Sequence, residues 1–181
     1  MFNTPNLLKK SVIIVNGSST KENLNRIMNY KCPLLVQKIM GKLNITKEKA
    51  DILFLETKRF LYICGTFPGK WSPSPQIDEC WHEFILFMRD YESFCMEFFG
   101  RVLYHVPNDP SERPDKSRPR RTLVAAMTIF GKEHLSSSWT YTNKKGESVL
   151  TPHTSIEQMQ DLDAFDPCRD SCGCDAACND D

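Results

Sequence analysis

The segment from Ile77 to Pro107 constrains the fold more than any other part of the chain. Its apolar residues recur at intervals of three and four, which is the period of one face of an α-helix. They are Ile77, Trp81, Phe84, Ile85 and Met88, followed by Tyr91, Phe94, Cys95, Phe98 and Phe99. Gly100 is placed to cap the end of this pattern. The segment therefore predicts one bent helix or two packed helices, beginning near Ser74-Pro75.

Three further helices are predicted from caps and periodicity. Pro33 to Leu43 opens with a proline, which suits the first helical position. Thr46 is a candidate N-cap for a longer helix to about Cys64, with Gly65 placed to stop it. Thr122 to Phe130 is a last amphipathic helix.

The remaining segments carry no helical period. Val102 to Val106 is predicted to be extended. The next segment, residues 108–121 (NDPSERPDKSRPRR), is predicted to be an exposed linker because it holds three prolines and no apolar residue. Beyond Trp139 no period is present, so this region is predicted to be irregular or disordered.

Length limits the number of domains. A chain of 181 residues with 40% apolar content can bury one ordinary core. We therefore predict an all-α fold: an N-terminal arm (1–32), a compact helical module (33–139), and a disordered or irregular, acidic, Cys-rich C-terminal tail (140–181).

Charge is divided unevenly along the chain. Residues 157–181 hold eight acidic residues against Arg169 alone, a balance of −7, so the other 156 residues carry +7. The tail either folds against the basic body or stays solvated, and low hydrophobicity favours the solvated state.

The sequence favours a cytoplasmic protein without a membrane segment. The N-terminal apolar run, Val12 to Val15, is too short for a signal peptide, and no stretch approaches the roughly 20 apolar residues of a membrane span. Cytosolic thiols are normally reduced. The eight cysteines are therefore interpreted as core residues, metal ligands or redox sensors.

Four residues of the central segment form a candidate metal site. Asp78 and His82 are one helical turn apart and share a helix face, while Cys95 and His105 follow at distances that a second helix and a turn can fold back. A carboxylate, a thiolate and two imidazoles form a competent ligand set for Zn²⁺ or Fe²⁺.

A simpler, structural interpretation stays open at this point. In it Asp78 accepts a hydrogen bond from His82, Cys95 fills the core as a small apolar residue, and His105 sits at a surface turn. If a metal binds with an open position, Glu83 is the nearest candidate base, but it points about 100° away from His82 around a helix. The sequence therefore favours a structural ion over a catalytic one.

The tail contains a second candidate site. Cys168, Cys172, Cys174 and Cys178 form two overlapping pairs whose spacing is within the range of zinc-chelating cysteines. Neighbouring aspartates attract cations but disfavour thiolate formation. The alternatives are a flexible tail with redox-active thiols and a small disulfide knot.

The central segment also resembles a known family. The resemblance is carried by Asp78-Glu79-Cys80-Trp81-His82, Phe84-Ile85-Leu86, Tyr91, Phe94-Cys95, Phe99-Gly100 and His105-Val106-Pro107. These residues resemble the glycine-rich domain-containing protein-like family, in particular its small bacterial-type members. Arg59-Phe60-Leu61, Phe130-Gly131 and Trp139 extend the likeness to roughly residues 33–139.

The resemblance implies a helical module in which Asp78, His82, Cys95 and His105 are grouped. It implies no enzymatic activity. The glycine-rich segment that gives the family its name is absent here, since the tail has one glycine, Gly173, among its four cysteines.

Two functions follow from these patterns. The first is a small helical protein that binds Zn or Fe through the Asp/His/Cys/His cluster. The second is a non-catalytic interaction module whose basic body or acidic tail docks a protein partner. An enzyme of unknown reaction has less support. Nucleic-acid binding is disfavoured, because the segment 108–121 that holds the basic residues also contains three acids and has a net charge of only +2.

Overall fold

The chain divides into two compact units, residues 1–30 and 31–181. A computed structural model describes residues 17–107, 115, 117–143, 145–155, 158–159 and 174–177, the first four and last four of these by backbone alone. The first unit contributes one described helix, which lies in the predicted N-terminal arm. All the other described elements belong to the second unit.

The described residues are mostly helical, as predicted. The helices are α1 (Gly17–Asn29), α2 (Pro33–Leu43), α3 (Lys47–Thr66), α4 (Pro75–Leu86), α5 (Met88–Phe99) and α6 (Arg118–Phe130). Within this described part, no helix combines the length and apolar character that a bilayer-spanning segment needs.

Helix α3 is the central element of the second unit and contacts α2, α4 and α6. It begins as predicted, because the Thr46 side chain accepts a hydrogen bond from the Lys49 backbone N–H at 3.4 Å. Its apolar residues then face the neighbouring helices, and Phe60, Leu61, Ile63 and Cys64 are fully buried.

Gly65 does not stop α3, contrary to the prediction, since the helix continues to Thr66. A different requirement explains the glycine. A Cβ atom built on Gly65 would lie 2.3 Å from the ring of Phe99, so only a residue without a side chain allows α5 to approach α3 this closely.

The central segment forms two helices instead of one bent helix. Phe87 separates them with φ −82° and ψ 56°, while its N–H still donates to Phe84 O at 3.0 Å. Gly100 ends α5 in the left-handed conformation with φ 71°, as predicted.

Edge-to-face aromatic contacts hold these helices together. Phe84 of α4 lies against Phe54 of α3 with ring centroids 5.3 Å apart, and against Phe94 of α5 at 5.4 Å. Phe60 of α3 packs on Trp81 of α4 at 5.4 Å. Such rings bury large apolar areas and prefer this geometry, so the aromatic stripe of the sequence is the core.

Short strands are also present, so the all-α prediction holds only in its coarser form, a mostly helical fold. Strand β5 (Cys174–Ala177) pairs antiparallel with both β1 (Lys70–Trp71) and β2 (His105–Pro107). Strands β3 (Tyr141–Thr142) and β4 (Ser148–Leu150) form a separate hairpin. Both β5 and the hairpin lie in segments without a local period, which were predicted to be irregular.

Helix α6 begins at Arg118, four residues before the predicted start and inside the predicted linker. Pro119 is compatible with the first turn of a helix and is buried there. The Asp115 carboxylate accepts hydrogen bonds from the Ser117 N–H at 3.0 Å and from Arg121 Nη2 at 3.0 Å. These local contacts order the start of the helix.

One buried carboxylate joins α3 to the chain that follows α6. Glu56 is 2% exposed. Its Oε1 accepts from the Ser136 N–H at 3.0 Å, its Oε2 accepts from the Trp139 indole N–H at 2.8 Å, and Arg59 Nη1 lies 3.0 Å from both oxygens. Removing this carboxylate would leave the buried Trp139 indole N–H and the partly buried Ser136 N–H without this acceptor, while Arg59 Nη1 would keep its hydrogen bond to the His134 carbonyl.

We expect Glu56→Ala to lower the free energy of unfolding by about 3 kcal/mol, because one partner of a buried, hydrogen-bonded ion pair is lost. Asp51→Ala is the control, since Asp51 lies on the same helix in an exposed pair with Lys47 and should cost less than about 1 kcal/mol. Urea titration followed by circular dichroism measures both changes. Similar losses in the two variants would contradict the role given to Glu56.

Lys58 is an unusual residue of α3 because its side chain is charged yet only 3% exposed. Its ammonium lies 5.2 Å from the centre of the Phe54 ring. Burial, together with the nearby charge of Lys31, lowers the pKa of Lys58 to about 8. The folded chain therefore binds the Lys58 proton less tightly than the unfolded chain does.

This shift predicts a pH-dependent difference in stability between the wild type and Lys58→Met. At about pH 7 the lysine is protonated in both states, so its full desolvation cost is present and the variant should be more stable by on the order of 2 kcal/mol. As the pH rises through about 8 towards 10, the folded chain releases the proton first and the advantage should shrink. Urea unfolding across this range, with the exposed Lys49→Met as control, measures it. A constant advantage would contradict the lowered pKa.

Candidate metal centre

The first two residues of the site come from one helix turn. The Ser74 side chain caps α4 by accepting from the Ile77 N–H at 3.4 Å, which sets the start of the helix. Asp78 then falls in the first turn, where a carboxylate is favoured by the helix dipole. His82 lies four residues on, and its Nδ1 is 3.3 Å from Asp78 Oδ2.

The third residue of the site, His105, lies on β2. His105 Nε2 lies 2.9 Å from Asp78 Oδ1, so the carboxylate is shared between two imidazoles. The rings of His82 and His105 have their centroids 4.3 Å apart. His82 Nδ1 also donates to the backbone carbonyl of Asp78 at 2.8 Å, which fixes the ring on the helix.

The site is buried on one side and open on the other. The His105 side chain is 6% exposed, and its ring packs against fully buried Trp81 at a centroid distance of 4.1 Å. The His82 side chain is 39% exposed. The structural interpretation is therefore wrong in placing His105 at a surface turn, whereas its Asp78–His82 contact and its buried Cys95 are found.

A chain of hydrogen bonds supports the buried side. The Trp81 indole N–H donates to the Tyr91 hydroxyl at 3.0 Å, and that hydroxyl donates to the backbone carbonyl of Leu103. Leu103 is two residues before His105. The chain therefore links α4, α5 and the segment that delivers the second imidazole.

Cys95 is not part of the cluster, which corrects the predicted four-residue ligand set. Its thiol is fully buried and interacts with the Tyr91 side chain and the Leu103 backbone. Burial raises the pKa of the Cys95 thiol, so the thiolate that a metal requires is disfavoured. The physical reason for the raised pKa is the apolar environment in which α5 buries the Cys95 side chain.

Glu83 also lies outside the cluster, as its helix position predicted. Its Oε1 pairs with Lys42 of α2 at 2.8 Å, and Lys42 pairs in addition with Glu79 at 2.8 Å. These pairs join α2 to α4. Glu83 is thus committed to a helix contact and is not placed to act as a base for the histidines.

Among the described residues, the donors grouped closely enough to share a metal ion are Asp78, His82 and His105. One ligand atom from each lies within 4.8 Å of the others. Two imidazoles and one carboxylate match the protein ligands of catalytic zinc sites and of non-haem iron sites, and they leave at least one coordination position open.

The second candidate site falls almost wholly outside the described residues. Cys168, Cys172 and Cys178 are not described, and Cys174 is described by its backbone in β5. That tail site therefore stays a prediction.

Sequence reasoning missed the aromatic support of the site. Trp81 and Tyr91 were assigned to the core because their spacing is helical. Nothing local indicates that the Trp81 ring packs on His105, since 24 positions separate the two residues. The available sequence signal for this aromatic support was that Trp81 immediately precedes His82.

Residues 19–125 match the UCP032817-like family, and this range is more than half of the chain. The chain belongs to the UCP032817-like family. The matched range contains all three residues of the cluster, together with Trp81 and Tyr91, whereas the tail cysteines lie beyond it. The description of the UCP032817-like family names no activity. Neither a curated protein nor a solved structure matches the chain.

The hydrogen-bond chain predicts a large effect of Tyr91→Phe. This substitution leaves the Trp81 indole N–H and the Leu103 carbonyl unpaired in a buried site, so we expect the free energy of unfolding to fall by about 2 kcal/mol. Tyr104→Phe is the control, because Tyr104 is 63% exposed. Chemical denaturation of both variants gives the comparison, and equal stability of Tyr91→Phe and wild type would refute the assigned role.

Proposed function

We propose that the protein binds one divalent transition-metal ion, Zn²⁺ or Fe²⁺, through Asp78, His82 and His105. The observation that carries this proposal is that a carboxylate and an imidazole of α4 and an imidazole of β2 lie within one small volume. These three donor types suit both ions.

The distances within the cluster are those of hydrogen bonds, and a small movement would convert them to those of a metal site. His105 Nε2 and Asp78 Oδ1 are 2.9 Å apart. Two donors of a tetrahedral ion, each bonded at about 2.1 Å, lie about 3.4 Å apart. A movement of about half an ångström would therefore admit the ion, and the open side at His82 leaves room for it.

The orientation of His82 also supports a metal ligand. Its Nδ1 donates to the Asp78 carbonyl, so in the neutral imidazole the lone pair is on Nε2. Histidine ligands in proteins commonly use one ring nitrogen for the metal and donate from the other to a carbonyl or carboxylate, which raises their basicity.

We further propose that the likeness to glycine-rich domain-containing protein-like members reflects this site. Asp78, His82 and His105 carry the likeness and form the cluster. Trp81 and Tyr91 also carry it, and they hold the buried side of the cluster in place. The residues that carry the likeness thus contact one another in the structure. An accidental likeness would not be expected to select residues that are in contact.

The test is metal content. The purified 181-residue chain, loaded with Zn²⁺ or Fe²⁺ under anaerobic conditions and desalted, should hold one equivalent more than the His82→Ala, His105→Ala double variant. We expect the affinity of the site to fall at least roughly 100-fold in that variant, because loss of an outer-sphere partner alone commonly costs 10 to 100-fold. Elemental analysis and competition with a chelating dye give the two quantities.

His134→Ala is the matched control for this experiment. His134 is largely exposed and lies outside the cluster, so its loss should leave metal content unchanged. The difference in metal content between the wild type and the double variant excludes metal that the tail cysteines bind in both proteins. Equal metal content in wild type and the double variant would refute the proposal.

A further inference from the structure

We propose that a pocket between the first turns of α3 and α4 binds a small organic acid with an apolar body. The carboxylate of the ligand lies at the amino end of α4, and the apolar body lies against α3. None of the residues that line this pocket belongs to the cluster of Asp78, His82 and His105. The inference therefore does not depend on the proposed metal.

The pocket has the size and the wall chemistry of a small-molecule site. Its volume is about 530 Å³, and ligand pockets in proteins commonly measure roughly 300–1,000 Å³. Ile52 of α3 lines the pocket and is still 45% exposed. An apolar body placed there removes this surface from water, which is favourable. The apolar walls are formed by Leu43, Ile45, Ile52, Leu53 and Pro75.

A buried hydroxyl of the pocket points to a polar group on the ligand. Ser138 lines the pocket and is only 7% exposed. Its N–H donates to Ser136 Oγ at 3.2 Å, and its carbonyl accepts from the Ser74 hydroxyl. No residue in the described part of the chain forms a hydrogen bond with the Ser138 hydroxyl itself. Because buried polar groups are normally hydrogen-bonded, this hydroxyl is suited to a ligand oxygen.

The contact with Ser74 places this hydroxyl beside the amino end of α4. The Ser74 hydroxyl accepts from the Ile77 N–H, and the Ser74 carbonyl accepts from the Asp78 N–H. Pro75 has no N–H to donate. The Gln76 N–H is the remaining donor of this turn, it has no acceptor among the described residues, and Gln76 lines the pocket. A carboxylate here meets two donors and the positive end of the helix dipole.

The charged side chains of the pocket favour an acid over an amine. Glu79 lines the pocket, but its carboxylate is paired with Lys42 of α2 at 2.8 Å. A ligand amine would have to compete with Lys42 for this carboxylate. Lys49 also lines the pocket, and within the described ranges no carboxylate pairs with its exposed ammonium. A ligand carboxylate is therefore attracted to a cation that is not already paired.

Titration of the 181-residue chain with octanoate tests the inference. Octanoate joins one carboxylate to an unbranched apolar chain, and a chelator in the buffer removes any metal that would bind the carboxylate elsewhere. We expect saturable shifts of the Gln76 and Ser138 amide signals in nuclear magnetic resonance spectra. Octanol has a similar apolar body without the charge, so it should bind at least roughly 10-fold more weakly.

Variants locate the binding site. Ser138→Ala removes a donor to a charged group and should weaken octanoate binding about 10-fold. Lys49→Met removes an exposed cation and should weaken it roughly 2- to 5-fold. Ile52→Trp fills the pocket from a partly exposed position and should abolish binding, which keeps the test decisive if Ser138→Ala does not fold.

Lys47→Met is the matched control, because Lys47 lies in the same turn of α3 as Lys49 but pairs with Asp51 and does not line the pocket. It should bind octanoate as the wild type does. Circular dichroism shows which variants are folded.

Four results would overturn the inference. The first is the absence of saturable shifts at Gln76 and Ser138. The second is equal affinity for octanol, which would indicate an apolar pocket that does not recognise an acid. The third is tighter binding of octylamine, which would assign recognition to Glu79. The fourth is undiminished binding by folded Ile52→Trp, which would place octanoate elsewhere on the chain.

Discussion

The packing of the Trp81 indole is the interaction on which the rest of the described structure depends. Its ring packs between Phe60 of α3 and His105 of β2, while its N–H reaches the Tyr91 hydroxyl of α5. One fully buried side chain thus fixes the separation of three elements. Because Tyr91 in turn holds the Leu103 carbonyl, the strand that carries His105 cannot shift without breaking a buried hydrogen bond.

The same contact explains why the cluster forms where it does. Asp78 and His82 meet through helix geometry alone, but an imidazole from β2 joins them only if that strand lies against α4. The aromatic packing supplies this placement, and the Asp78 carboxylate then lies 3.3 Å from His82 Nδ1 and 2.9 Å from His105 Nε2. A polar cluster beside a rigid aromatic core has little freedom to rearrange, which is the condition for a well-defined ligand site.

Much of the helical framework could be predicted from local signals. The Thr46 cap, the proline at the start of α2 and the left-handed Gly100 each act within one turn of the chain, so the sequence displays them directly. The prediction that Gly65 stops α3 was wrong for the opposite reason. Its role is a close approach to Phe99, 34 residues away, and no local pattern distinguishes such a glycine from a helix stop.

The sequence by itself determined the helical segments from Pro33 onwards, the caps at Thr46 and Gly100, the aromatic stripe and the Asp78–His82 pair, because each depends on residues no more than a few positions apart. The tertiary structure decided that His105 completes the cluster and Cys95 does not, that α4 and α5 are separate, and that β5 pairs with β2. These outcomes depend on packing between distant segments. Spacing along the chain allows many such pairings, and burial, aromatic contact and strand register select one.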